Sequence, residues 1–209
     1  MRPVILWFDF VSPFSYLALF RLAELPADVA LEYRPVLFAG LLGHWGMKGP
    51  AELAPKRRYT YRVTHWTARA WGVPFRYPAG HPFNPLPWLR LAIAAGATPQ
   101  AVRRIFESLW TTGDDPADAA RLAALAKELG VDEAMLAAPE VKDTLRRNTA
   151  EAAARGVFGV PTFEADGELF WGADSIGWLT AFLADPTFVR NPEIERLDRL
   201  PISAARRTG

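Results

Sequence analysis

Val4-Ile5-Leu6-Trp7-Phe8-Asp9-Phe10-Val11 is a short, nearly continuous apolar run, and Ser12-Pro13-Phe14-Ser15 follows it directly. Its length and its aromatic and branched content predict a strand buried on both faces, as in a sheet covered by helices. Ser12 then suits a helix N-cap, and Pro13 the first helical position, where its missing N–H costs nothing. Leu17, Phe20 and Leu25 carry an apolar stripe for that helix up to Pro26. A second strand is predicted over Val29 to Leu37, where Leu31, Tyr33 and Val36 alternate with polar neighbours. Strand, helix and strand in this order make a βαβ unit.

Working outward, the pattern changes after residue 38. Gly40, Gly43, Gly46, Gly49 and Pro50 read as a loose connection. Helices are predicted over Ala51–Trp71, Pro85–Ala95, Pro99–Trp110, Pro116–Leu129, Asp132–Ala137 and Glu140–Arg155, punctuated by Gly72, Gly96, Gly113, Gly130 and Gly156. Val160 to Ala165, a turn at Asp166-Gly167, and Glu168 to Trp171 read as a hairpin. Ser175 to Leu183 closes the pattern as a helix with Ile176, Leu179, Phe182 and Leu183 on one side. Neither α/β piece is large enough to bury a sheet alone. Together, residues 1–38 and 156–185 make one α/β domain with a four-stranded sheet, βαβ…ββα, and residues 39–155 are an all-helical insertion into it. That element order is thioredoxin-like. The tail, 186–209, is assigned no fold.

Composition sets the outer limits. Of 209 residues, 50% are hydrophobic and 22% charged, the profile of a folded chain with a sizeable core. Lys and Arg number 24 against 23 for Asp and Glu, so no global charge points to nucleic acid or to a membrane surface. No apolar run approaches the roughly 18 residues of a membrane span, and the N-terminus lacks a signal-peptide pattern, so a cytoplasmic location is expected. Cysteine is absent, which excludes disulfides, a cysteine nucleophile, thiolate metal sites and a dithiol redox cycle.

The corner at Ser12 is the strongest place for chemistry. A helix start offers unpaired N–H groups and the positive end of the dipole, and Ser12 adds a hydroxyl; the same residue also serves as an ordinary cap worth ~1 kcal/mol. Between Ala51 and Trp110 nine basic residues, Lys56, Arg57 and Arg58 among them, meet two acidic ones. Such a block reads either as a solvated face or as a basic wall for a substrate carboxylate. His44, His65 and His81 lack metal-ligand spacing and read as loop or surface residues, so no metal is expected. Trp45, Trp66, Trp71, Phe75, Phe83 and Trp88 read first as core, and second as the wall of a pocket for a flat aromatic substrate. Neither a phosphate-binding loop nor a Gly-x-Ser-x-Gly element is present.

Phe8-Asp9-Phe10-Val11-Ser12-Pro13-Phe14-Ser15-Tyr16-Leu17-Ala18 resembles the opening of the 2-hydroxychromene-2-carboxylate isomerases, relatives of the kappa-class glutathione transferases in the DsbA-like branch of the thioredoxin superfamily. Gly156 to Phe163 resembles that family's cis-proline segment, and Phe170 to Asp174 its γ-glutamyl-binding stretch. Pro55 to Tyr59 and Trp71 to Pro74 match further family elements, so the likeness spans about residues 4 to 184. The resemblance implies a cytoplasmic, glutathione-dependent isomerase of an aromatic-derived 2-oxo or 2-hydroxy acid, commonly a homodimer, with glutathione or another low-molecular-weight thiol as cofactor. Ser12 would hold the thiolate as the catalytic residue. Lys56, Val160, Pro161, Asp174 and Ser175 would complete the cofactor site, with Val160-Pro161 a cis bond. Phe14, Lys56, Arg57, Tyr59 and Trp88 would line the substrate site. The chain departs from the family at Ser175, where Arg is usual, and near Met47, where many relatives carry Asn. Each lost partner is expected to weaken glutathione contacts by ~1–3 kcal/mol. The alternatives are a kappa-type transferase that conjugates electrophiles and a non-catalytic module that binds an extended peptide.

Overall fold

In the computed structural model, which describes residues 1–204, the opening apolar run forms β1 (Arg2–Phe8). Its side chains alternate between two cores. Val4, Leu6 and Phe8 enter the larger core, while Trp7, fully buried, enters a smaller one with Ile5 packed against it. A strand covered on both faces is what a continuous apolar run requires. β1 pairs in parallel with β2 (Val29–Pro35) and antiparallel with β3 (Thr162–Ala165), which pairs antiparallel with β4 (Glu168–Trp171). The sheet order is therefore β2-β1-β3-β4, a four-stranded mixed sheet of the thioredoxin-like kind. Asp166 and Gly167, both at positive φ, make the β3–β4 turn.

Three side-chain contacts support this sheet at its polar points. The Trp7 indole donates to Glu164 Oε2 at 2.9 Å, and Arg155 pairs with the other carboxylate oxygen at 2.5 Å. The Arg34 guanidinium lies over the Trp7 ring at 5.4 Å. A carboxylate as buried as Glu164 needs such partners.

The helices follow the expected order with shifts at their ends. The first, α1 (Pro13–Ala18), stops before Pro26 and gives way to a 3-10 turn at Leu22–Glu24. The first half of residues 40–50, read from the sequence as a loose connection, belongs to α2 (Phe38–Trp45). Glycine lowers helix propensity, but packing overrides it: Leu41 is fully buried, and a Cβ at Gly40 would lie 2.9 Å from Thr149 Cγ2. Gly40 is thus where α2 passes close to its neighbour. Then come α3 (Ala54–Ala70), α4 (Leu86–Ala94), α5 (Pro99–Trp110), α6 (Ala119–Glu128), α7 (Glu133–Ala137) and α8 (Pro139–Ala154). Thr98, Asp118 and Asp132 cap three of them through side-chain oxygens, each cap worth ~1 kcal/mol.

After the hairpin comes α9 (Ile176–Ala184), whose Ile176, Leu179 and Phe182 are fully buried. The tail carries one further helix, α10 (Pro192–Asp198), capped by Asn191. The remainder of the tail expectation, residues 205–209, lies outside the described residues. Among the described residues no helix is long and apolar enough to cross a membrane.

Candidate functional site

The C-terminal end of β1 turns into α1 at Ser12, and the chain just before β3 crosses that corner. Ser12 caps α1 by accepting from Ser15 N at 3.2 Å, and its hydroxyl donates to the Val160 carbonyl at 3.2 Å. The Val160-Pro161 peptide bond is cis. The two ends of the sheet's sequence, 148 residues apart, therefore meet at one hydroxyl.

A cavity of about 360 Å³ opens at this corner. Ser12, Phe14, Phe158, Val160 and Trp171 form its sheet-side wall. Residues of the helical stretch close the other side: Phe38, Leu42, Met47, Tyr61, His81 and Phe83 are mostly apolar or aromatic, and Lys48, Lys56 and Arg57 supply cations. Lys56, Arg57, Thr60 and Tyr61 fall on one face of α3, so a single helix delivers two charges and two hydroxyls to the wall. A flat apolar body with a carboxylate at one end matches this distribution.

Asp9 lies beneath the corner and is fully buried. Its carboxylate accepts from Val11 N at 3.0 Å and from Phe38 N at 2.8 Å, tying the end of β1 to the start of α2. Burial pushes its pKa from 3.8 up to about 7, against the opposing pull of those N–H donors. His81 is also largely enclosed, and burial pulls its imidazole below the ordinary range. Its Nε2 stands 2.9 Å from Val11 O and its Nδ1 3.0 Å from Tyr61 Oη.

Of the residues selected from the sequence, the cavity brings together Ser12, Phe14, Lys56, Arg57 and Val160. Met47 lines it as well. Pro161 is buried next to Val160, and its carbonyl accepts from Gly172 N at 2.9 Å. Asp174 is exposed and lies outside the cavity, three residues past Trp171, while the Ser175 hydroxyl is turned inward onto Gly172 O at 2.8 Å. Three expectations need correction. Trp88 is a core residue, 1% exposed with its indole donating to Pro116 O, because it sits on the inner face of α4. Tyr59 is 69% exposed, because it falls off the α3 face that carries Lys56 and Tyr61. His81 lies in a loop, as read from the sequence, but its ring is enclosed in the cavity wall and not spread on the surface. Tyr61 and His81 carried no motif; Asp9 stood within the opening stretch, where a carboxylate amid apolar residues is the one signal that could have singled it out.

A model of the DSBA-like thioredoxin domain matches residues 3–184. The 2-hydroxychromene-2-carboxylate isomerase of Sphingobium xenophagum is 32% identical over 191 residues, covering 86% of this chain and 96% of that protein. Glutathione S-transferase kappa 2 of Caenorhabditis elegans is 26% identical over 204 residues, covering 86% and 91%. Among solved structures, a 2-hydroxychromene-2-carboxylate isomerase superposes with a TM-score of 0.75 at 26% identity, over 92% of this chain and 98% of that one.

Proposed function

The chain belongs to the DSBA-like thioredoxin domain family, within it to the 2-hydroxychromene-2-carboxylate isomerases, and from that premise we propose that it is a glutathione-dependent isomerase of an aromatic-derived 2-oxo or 2-hydroxy acid. The observation that carries this reading is the Ser12 hydroxyl, held on the Val160 carbonyl at the wall of an apolar cavity whose opposite wall carries Lys48, Lys56 and Arg57.

The residues present suit a thiol peptide. Ser12 offers one hydroxyl hydrogen, and rotating it off Val160 O frees it for a sulfur. The N-terminal end of α1 adds its positive dipole at the same spot, and together they favour an anion there. Lys56 faces a carboxylate from across the cavity, and Asp174, beyond the rim, takes the amine. Bound glutathione supplies a sulfur nucleophile that adds reversibly to a conjugated 2-oxo acid and so permits rotation about the bond. Phe14, Phe38 and Phe83 hold the flat ring and exclude water, which strengthens every charge contact inside. Arg57 or Lys48 orients the substrate carboxylate.

The protein works in this reading as a cytoplasmic homodimer on a small molecule; light scattering checks the dimer. The similarity to a kappa-class transferase supports a second reading, in which the same sulfur conjugates an electrophile. Product analysis separates them, since isomerisation returns free glutathione and conjugation consumes it. Ser12→Ala is expected to lower glutathione-dependent turnover by about tenfold or more, with the fold intact by circular dichroism. Full turnover in that variant would overturn the assignment.

A further inference from the structure

Three polar contacts run through the helical wall of the cavity. His81 Nε2 meets Val11 O at 2.9 Å, His81 Nδ1 meets Tyr61 Oη at 3.0 Å, and the Tyr61 hydroxyl donates to His81 O at 2.7 Å. Each contact calls for one hydrogen. Val11 O is only an acceptor, so Nε2 carries the hydrogen of the neutral ring and Nδ1 is left with a lone pair. Tyr61 then has a single hydrogen and two claimants, Nδ1 and the His81 carbonyl. The frame needs three hydrogens, and neutral His81 with Tyr61 supplies two. One proton on Nδ1 satisfies all three contacts: Nε2–H to Val11 O, Nδ1–H to Tyr61 Oη, and Tyr61 O–H to His81 O.

The carboxylates on the cavity already accept backbone hydrogens. Asp9 holds the N–H groups of Val11 and Phe38, and Glu52 Oε1 accepts from Gly49 N at 2.6 Å. Ser12 both donates and accepts, and Lys48, Lys56 and Arg57 are cations. Around the imidazole stand the rings of Tyr61, Tyr77, Phe83 and Trp110, with centroids 5.3 to 6.3 Å away, and they contribute no carboxylate. Burial keeps the ring neutral near pH 7, so the vacancy at Nδ1 is open there.

We propose that Tyr61 and His81 are a two-residue proton acceptor for an acidic hydrogen carried into the cavity, which on the functional reading above is the thiol hydrogen of glutathione. The S–H bond breaks as its proton joins Tyr61 Oη, while Tyr61's own hydrogen passes to His81 Nδ1. The sulfur keeps the electron pair, the imidazole becomes a cation, and the reverse transfer restores both. Both residues line the cavity; Tyr61 is the member of the pair that takes the sulfur's proton, and His81 acts through it as a positioning residue and proton store.

Calorimetry of glutathione binding to the whole protein near pH 7, in buffers of different ionisation heat, counts the protons released to solvent. Ultraviolet absorbance of the bound thiolate reports ionisation in the same samples. The wild type is expected to form thiolate while releasing almost no proton. Tyr61→Phe and His81→Gln are expected to bind glutathione but to lose about tenfold of the thiolate signal, and turnover to fall with it. Thiolate formed with a full proton released by the wild type overturns the pair, as does an unchanged thiolate signal in folded variants. Should a variant not fold, a full proton released by the wild type still overturns the pair. Asp9→Asn removes the other group on the cavity that titrates near pH 7 and is expected to leave the count near zero. A full proton released by that variant would assign the uptake to Asp9 and overturn the pair. No binding heat with wild type is a different failure: it overturns the glutathione reading and takes this inference with it.

Discussion

The two walls of the cavity are built in different ways. The sheet-side wall rests on backbone: the Ser12 corner caps α1, the preceding strand is buried on both faces, and Val160 reaches it through a carbonyl. The helical wall rests on side chains that helices and a loop bring from afar. Tyr61 and His81 are 20 residues apart, and His81 touches Val11 from 70 residues away. A wall of backbone tolerates changes of side chain that leave the turn intact. A wall of side chains depends on each phase and each hydrogen.

Trp88 tests that contrast most severely. It belongs to neither wall, so Trp88→Ala is expected to cost about 3–5 kcal/mol of stability through the cavity it opens in the core. A denaturation curve shifted by less than 1 kcal/mol would return it to the pocket as a candidate wall.

Asp9 joins the walls, and its ionisation is the next largest effect. Its folded pKa, about 7, stands above its ordinary 3.8, so the native state binds the proton more tightly than the unfolded one. This contribution is fully present below the ordinary value and is lost as pH rises to about 7, a decline on the order of a few kcal/mol. Asp9→Asn removes that part of the pH dependence while its amide oxygen still accepts from one N–H. Urea melts from pH 4 to pH 8 check this, and an identical slope in both proteins would place the titration elsewhere.

Within α3 the contrast becomes finer. Lys56→Ala is expected to raise the KM for glutathione several-fold with little change in kcat, since it removes a binding charge only. Tyr59→Ala, one turn along but outside the cavity, is expected to leave both constants unchanged and stability within about 0.5 kcal/mol. Equal effects from the two would mean that the cavity-facing stripe is wrongly drawn.

The same division decides what the sequence made legible. The apolar run, the Ser12-Pro13 cap signal and the Asp166-Gly167 turn are local features, and local rules placed β1, α1 and the hairpin correctly. Ser12, Lys56 and Val160 were singled out because motifs marked them, and all three line the cavity. α2 was missed because its glycines speak against a helix, while its stabilising contact with Thr149 lies over a hundred residues away. His81 was passed over for the same reason: its value comes from Val11 and Tyr61, and nothing in its neighbours announces either. Tyr59 and Trp88 show the converse error, in which residue type was read without helical phase.

The meeting of Ser12 and Val160 is the centre of the functional reading. A crystal structure of the protein with glutathione tests it most directly. The sulfur is predicted within hydrogen-bonding distance of the Ser12 hydroxyl, with the peptide along Val160 and Pro161. Glutathione seated elsewhere, with Ser12 still bound to the Val160 carbonyl, would contradict it.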